Sequence, residues 1–110
     1  PVYSLGGFTE LDPALQRLFE AFLDDMQNRG IQVTALLVPY HPIVYSELTS
    51  SDKYKMVAEV ERYVKETSNK YGVSLAGSYD PRAIGCEPED FYDGMHPKAT
   101  CLSKSEFKTW

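Results

Sequence analysis

Apolar side chains recur at helical spacing in the first third of the chain. Asp12 followed by Pro13 predicts a helix start, because a carboxylate caps free backbone N–H groups and proline suits the first helical position. The apolar residues that share one helical face are Leu15, Leu18, Phe19, Phe22 and Met26. Gly30 suits the left-handed residue that ends a helix, so the helix is predicted to run to about Arg29.

A continuous apolar run predicts a buried strand after this helix. Residues 31–38 (IQVTALLV) have the length and the β-branched content of a strand in a parallel sheet. Pro39 ends the run, since proline cannot donate to the hydrogen-bond ladder of a sheet. The segment 39–42 (PYHP) is therefore expected to be a rigid loop at the carboxyl end of the strand.

A second helix and a second strand follow in the same order. Polar cap candidates at 50–52 predict the start of the helix, and Gly72 predicts its end. The predicted buried face of this helix consists of Val57, Val60, Tyr63, Val64 and Tyr71. Residues 73–76 form a predicted short strand. The turn 78–81 (SYDP), an acidic loop over 81–95 and a helix over 97–107 are expected to follow.

Strands that alternate with helices predict an α/β fold with a parallel sheet and right-handed crossovers. Two strands are too few for a stable open sheet, and an uncertain third strand at residues 2–5 adds little. We therefore expect residues 1–110 to be a single, partial domain, the later portion of a larger α/β unit. Its open sheet edge is expected to be covered by another chain or by a second copy.

The composition is that of an ordinary globular domain with an acidic balance. A formal net charge of −5 over 110 residues argues against a broad nucleic-acid-binding surface, which needs a basic patch. No apolar run is long enough to span a bilayer. Cys86 and Cys101 match no zinc-binding spacing. We expect two free thiols rather than a disulfide, although the even count leaves an oxidising compartment open.

We expect neither a metal nor a cofactor. A metal site is conceivable, although no zinc-binding motif supports it. Its ligands would be His41, Asp80, Asp93 and His96. Four aromatic residues fall on the predicted helix faces and are expected in the core, namely Phe19, Phe22, Tyr63 and Tyr71. Three acidic residues are expected to form a solvated face, namely Glu87, Glu89 and Asp90.

Asp93 and His96 in the segment 91–97 (FYDGMHP) are the strongest candidates for chemistry. Histidine serves as a general base near neutral pH when a partner on its other ring nitrogen fixes the tautomer. A carboxylate three residues earlier can be that partner if the chain turns at Gly94. The spacing is common, however, and taken alone it favours a structural role. In that alternative His96 caps the terminal helix and Asp93 makes a turn.

The position of this segment in the predicted fold strengthens the functional interpretation. Ligands of α/β proteins bind beyond the carboxyl ends of the strands. The loops at 39–42 and 78–81 and the segment with Asp93 and His96 should all lie at that edge of the sheet. The chemistry would also need a nucleophile, most simply a serine, from another part of the sheet.

The stretch 90–98 (DFYDGMHPK), which follows a strand and the turn 78–81, resembles the last motif of the SGNH hydrolase family. The resemblance implies a flavodoxin-like α/β fold with flanking helices and an enzyme that hydrolyses or transfers acyl esters. It implies that His96 is the base and that Asp93 orients it. The strand and PYHP loop are also similar to SGNH-like proteins of cell-surface polysaccharide clusters. That similarity implies a carbohydrate or other small ester substrate, an extracytoplasmic location, and three substrate-binding residues, Tyr40, His41 and Tyr45.

The chain also departs from the family pattern. It contains neither the Gly-Asp-Ser motif with the nucleophile nor the Gly-x-Asn-Asp motif that helps to form the oxyanion hole. We therefore expect the upstream part of the same protein to supply both, and this chain to be inactive alone. Cys86 paired with His96 is a weaker alternative, since acidic neighbours disfavour a thiolate. A non-catalytic α/β module that binds a ligand or a partner in the same cleft is the alternative from another functional class.

Overall fold

The computed structural model describes residues 5–105. Five helices and two strands alternate in mixed α/β order: α1 Pro13–Asn28, β1 Thr34–Leu37, α2 Pro42–Ser50, α3 Lys55–Lys70, β2 Ser74–Gly77, α4 Pro81–Ile84 and α5 Ala99–Leu102. Short 3₁₀ turns are present at Asp52–Tyr54 and Pro88–Asp90. None of the helices in this part of the chain is long and apolar enough to cross a membrane.

Local signals at both ends of α1 confirm its predicted bounds. The Asp12 carboxylate accepts a hydrogen bond from the backbone N–H of Ala14 at 2.8 Å. Pro13 occupies the first helical position, where its missing N–H costs nothing. Gly30 follows the helix with a φ of 71°, the left-handed conformation that glycine adopts without strain.

The two strands pair in parallel, from Thr34 opposite Ser74 to Leu37 opposite Gly77. Each strand is shorter than or shifted from its prediction. The predicted helix, strand, helix and strand are present in that order, with the additional helix α2 between β1 and α3. A side chain at Gly77 would collide with the carbonyl oxygen of Leu37, so glycine lets the strands approach at this end. The predicted third strand lies mostly outside the described residues, and Leu5 belongs to a turn.

Helix α2 was not predicted. The PYHP segment was interpreted only as a rigid loop, but its second half begins this helix, with His41 as the cap and Pro42 at the first position. From α2, Leu48 joins Tyr54 and Val57 in one buried cluster, against which Leu5, Tyr40, Val44 and Tyr79 pack.

The helix stripe of α1 is largely exposed, contrary to the prediction. Leu23 is buried at 2% exposure, whereas Leu15 and Leu18 are 63% and 66% exposed, and Phe22, which we expected in the core, is half-exposed. Leu23 lies about 80° around the helix from the centre of the predicted stripe. Leu15, Leu18 and Phe22 therefore lie on an open flank of the molecule, whereas Phe19 of the same stripe is half-buried and packs against Tyr63 of α3 with 6.2 Å between ring centroids.

The end of the chain differs most from the prediction. The terminal helix is a single turn, α5, which begins at Ala99 rather than at Pro97. Cys86 and Cys101 form a disulfide, which corrects our expectation of two free thiols and removes Cys86 as a candidate nucleophile. The two cysteines and Phe91 form a second buried cluster, with Ile84 packed against it.

Candidate active site

The segment with Asp93 and His96 is a tight hairpin-like loop. Phe91 and Pro97 form an antiparallel bridge at its base. Above the bridge, the backbone N–H of Tyr92 donates to the carbonyl oxygen of His96 at 2.8 Å. These contacts bring the two arms together, so Asp93 and His96 face each other across a turn of two residues.

The Asp93 carboxylate organises this turn. Its Oδ1 atom accepts hydrogen bonds from the backbone N–H groups of Met95 at 2.9 Å and His96 at 3.0 Å. The N–H of Met95 and the imidazole of His96 hold the pKa of the Asp93 carboxyl below its ordinary value, because both stabilise the ionised form. The predicted turn at Asp93 is therefore present, and the same carboxylate remains available to the imidazole.

The His96 ring binds this carboxylate through one nitrogen. Its Nδ1 atom lies 2.8 Å from both Oδ1 and Oδ2 of Asp93. An ionised carboxylate only accepts hydrogen bonds, so Nδ1 carries a proton and the neutral ring has its lone pair on Nε2. The His96 side chain is 73% exposed. This arrangement can take a proton from a group brought to the loop.

One part of the structural alternative is wrong, the cap by His96, whereas its other part, the turn at Asp93, is present. Helix α5 begins at Ala99 with Lys98 at the cap position, so the His96 side chain does not cap it. His41, by contrast, is a true cap. Its Nδ1 atom accepts a hydrogen bond from the backbone N–H of Ile43 at 3.0 Å, which places the ring proton of neutral His41 on Nε2.

The three loops expected at the carboxyl end of the sheet do meet. The backbone N–H of His41 donates to the carbonyl oxygen of Gly94 at 3.1 Å, which joins the PYHP segment to the loop of Asp93 and His96. The N–H of Tyr40 donates to the carbonyl oxygen of Tyr79 at 3.1 Å, which joins it to the SYDP turn. The His41 ring also packs edge-on against Phe91, with 5.4 Å between ring centroids.

The two tyrosines predicted to bind substrate lie elsewhere. Tyr40 packs against Tyr79 with 5.4 Å between centroids, and burial raises its pKa. Tyr45 lines a separate cavity of about 360 Å³ between α2 and α3, with Glu61 and Tyr79 among its walls. Burial, followed by the charges of Asp80 and Glu61, raises the pKa of Tyr45. Of the three predicted residues, His41 contacts the Asp93–His96 loop, and substrate binding by all three stays a prediction.

Asp90 was expected on a solvated face, and this expectation is wrong. It is 8% exposed rather than solvated. Its carboxylate accepts hydrogen bonds from the backbone N–H of Glu87 at 2.8 Å, the Thr100 hydroxyl at 2.8 Å and the Lys104 ammonium at 3.0 Å. The Glu87 N–H, followed by Lys104 and Thr100, lowers the pKa of Asp90 to about 2. A carboxylate three residues after Glu87 was the available signal, since it can fold back on the turn that begins at Pro88.

Residues 5–105 contain no cluster of three or more histidine, cysteine or acidic side chains placed to hold a metal ion. Within the same residues, no serine hydroxyl forms a hydrogen bond with His96. Comparisons of the chain with protein-family models, curated proteins and solved structures gave no match. The family resemblance therefore rests on the sequence motifs.

Proposed function

We propose that this chain carries the base of an SGNH-like serine esterase or acyltransferase with a flavodoxin-like fold. The observation that carries the proposal is the Asp93–His96 pair. The carboxylate holds Nδ1 of the imidazole at 2.8 Å, which leaves Nε2 as the basic atom on an exposed loop. The pair also lies where the loops after both parallel strands meet, the usual place for ligands in α/β folds.

The proposed reaction assigns one role to each residue. Nε2 of His96 removes the proton of a serine hydroxyl as its oxygen attacks the carbonyl carbon of an acyl ester. Asp93 stabilises the imidazolium that forms and keeps the proton on Nδ1. His96 then gives its proton to the departing alcohol oxygen, and the serine holds the acyl group. Transfer of this acyl group to water or to another hydroxyl completes hydrolysis or acyl transfer.

The serine and the oxyanion donors are proposed to come from outside this chain, from the upstream part of the same protein. The open flank of the molecule supports this assignment. Five large apolar side chains are exposed, namely Leu15, Leu18 and Phe22 on α1 and Leu36 and Val38 around β1. Further strands and helices of a flavodoxin-like sheet would cover such a flank. A second copy of the chain on the same sheet edge is the other arrangement.

The proposed substrate is an acyl ester of a carbohydrate or of another small hydroxylated molecule. This part of the proposal rests on the similarity of the PYHP segment to proteins of polysaccharide clusters. The Cys86–Cys101 disulfide supports an oxidising, extracytoplasmic compartment, because reducing compartments keep most cysteines as thiols.

Hydrolysis of p-nitrophenyl acetate by the whole protein that contains this chain tests the proposal. We expect His96→Ala and Asp93→Asn each to lower kcat/KM by about 10²–10⁴-fold. In Asp93→Asn the amide can donate to Nδ1, which moves the ring proton to Nε2 and removes the base. Asp12→Asn is the matched control, because it makes the same change of side chain at the cap of α1.

Equal activity of wild type, His96→Ala and the Asp12→Asn control would refute the proposal. Binding of an acylated sugar without turnover, unchanged by His96→Ala, would instead favour the non-catalytic binding module. The chain alone is expected to show no turnover above that of its His96→Ala variant, because it lacks the serine.

A further inference from the structure

We propose that Asp90 is a positioning residue that fixes the geometry of the Asp93–His96 pair from beneath the loop. Its catalytic significance rests on the function proposed above, whereas its effect on the pair does not. Within residues 5–105, Asp90 forms no hydrogen bond or ion pair with either side chain of the pair, so it would act through the backbone that carries them.

The Asp90 carboxylate ties together three separate parts of the chain end. One oxygen accepts from Thr100 in α5, and the other accepts from the backbone of Glu87 and from Lys104. Lys104 also donates to the carbonyl oxygen of Gly85 at 3.2 Å. The segments before and after the Asp93–His96 loop are therefore held by one nearly buried anion.

Backbone hydrogen bonds connect this anion to the pair. The carbonyl oxygen of Asp90 accepts from the N–H of Lys98 at 2.7 Å. The bridge between Phe91 and Pro97 comes next, and the hydrogen bond from Tyr92 to His96 follows at 2.8 Å. These successive contacts set the separation of the two arms, and that separation decides whether Asp93 reaches Nδ1 of His96.

The Cys86–Cys101 disulfide encloses the same loop but cannot replace Asp90. It joins the outer ends of the segment, 15 residues apart, and leaves the residues between them free to change conformation. In Asp90→Asn, the amide oxygen can still accept from the N–H of Glu87, but the negative charge that pairs with the Lys104 ammonium is gone. The amide nitrogen then faces Thr100, whose hydroxyl must accept instead of donate, so the variant weakens the contact to Lys104 and reverses the one to Thr100.

Histidine tautomers report the pair directly. The chain has two histidines, His41 and His96. In the structure Nδ1 of His96 donates and Nδ1 of His41 accepts, so the neutral rings carry their protons on opposite nitrogens. Long-range ¹H–¹⁵N NMR spectra, recorded with both imidazoles neutral, distinguish the two tautomers, and His41 serves as an internal reference.

We expect Asp90→Asn to lose the Nδ1–H tautomer of His96 while His41 keeps its Nε2–H tautomer. Circular dichroism must show that the variant is folded. The Asp12→Asn variant controls for the loss of a capping carboxylate elsewhere and should leave both tautomers unchanged. A purely structural role for Asp90 would lower stability without changing the His96 tautomer in the folded protein.

If Asp90→Asn does not fold, Thr100→Val and Thr100→Ser form the second comparison. Thr100→Val removes one donor to Asp90 at nearly constant shape, whereas Thr100→Ser retains the hydroxyl. We expect the valine variant to shift the His96 tautomer and the serine variant to restore it. Retention of the wild-type tautomer in folded Asp90→Asn, or in both Thr100 variants, would overturn the proposal.

In the whole protein, loss of this positioning should lower kcat for the model ester by roughly 10²-fold, with KM little changed. A shifted tautomer in an Asp90→Asn protein whose wild type has no esterase activity would retain the positioning role and refute the proposed function. An unchanged His96 tautomer in Asp90→Asn, together with an active wild type, would refute the positioning role and retain the proposed function.

Discussion

Reduction of the Cys86–Cys101 disulfide should destabilise the chain substantially. The bond closes a loop with a sequence separation of 15 residues. The chain-entropy relation for a loop of this length gives about 3 kcal/mol of stabilisation at 25 °C, because the cross-link restricts the unfolded chain. Small domains are stable by only about 5–15 kcal/mol, so this loss is a large part of the total.

Urea unfolding of the oxidised and reduced chain, followed by circular dichroism, measures this effect. With an m-value of about 1–3 kcal/mol per molar urea, we expect reduction to lower the midpoint by about 1–3 M. Reduction retains both sulfur atoms, so it tests the cross-link with little change in core volume. The Cys86→Ala/Cys101→Ala variant is the control, since the reductant should not move its midpoint.

A urea midpoint that falls by less than a few tenths of a molar on reduction would refute this reasoning. So would two thiols that react with a thiol reagent in the unreduced, unfolded protein. That second result would return Cys86 and Cys101 to the free state that their sequence alone suggested.

Two further predictions concern Asp90 and helix α1. The pKa of Asp90 is about 2, below its ordinary value of 3.8, so its stabilising contribution is fully present above pH 3.8 and is lost as the pH falls through 2. Unfolding measured from pH 6 to pH 2 should show this loss, and Asp90→Asn should flatten the profile, whereas an equally steep profile would contradict it. Leu23→Ala should lower the free energy of unfolding by about 2–5 kcal/mol, because Leu23 is buried. Leu18→Ala should change it by no more than about 0.5 kcal/mol, because Leu18 is exposed. Similar losses of unfolding free energy for the two variants, measured by urea unfolding, would mean that the α1 stripe is covered within this chain.

The parts of the fold that were predicted correctly depend on local chemistry. Asp12, Pro13 and Gly30 determine the ends of α1 through capping and backbone conformation, which need no tertiary contact. Helix α2 was missed because the prolines at both ends of PYHP are typical of a rigid loop, although Pro42 also suits the first position of a helix. The prediction that the apolar stripe of α1 is buried was wrong, because periodicity identifies an apolar face but not the element that covers it.

In the candidate site, too, the local contacts were predictable from the sequence, whereas the contacts between distant segments were not. The Asp93–His96 contact was predictable because a carboxylate three residues before a histidine needs only a turn between them. The disulfide and the burial of Asp90 depend on distant segments. Cys86 and Cys101 have Cα atoms 5.3 Å apart only after the loop has folded back, and Asp90 meets Lys104 for the same reason. Their spacing in the sequence does not encode that proximity.

Covalent labelling of the whole protein with a fluorophosphonate serine probe tests the central claim most directly. The wild type should be labelled on one serine, identified by peptide mass spectrometry, and the label should be lost in His96→Ala and retained in Asp12→Asn. That result would place an activated serine beside Nε2 of His96. Absence of labelling in the wild type, under conditions where a known serine esterase reacts, or equal labelling of His96→Ala would contradict a catalytic Asp93–His96 pair.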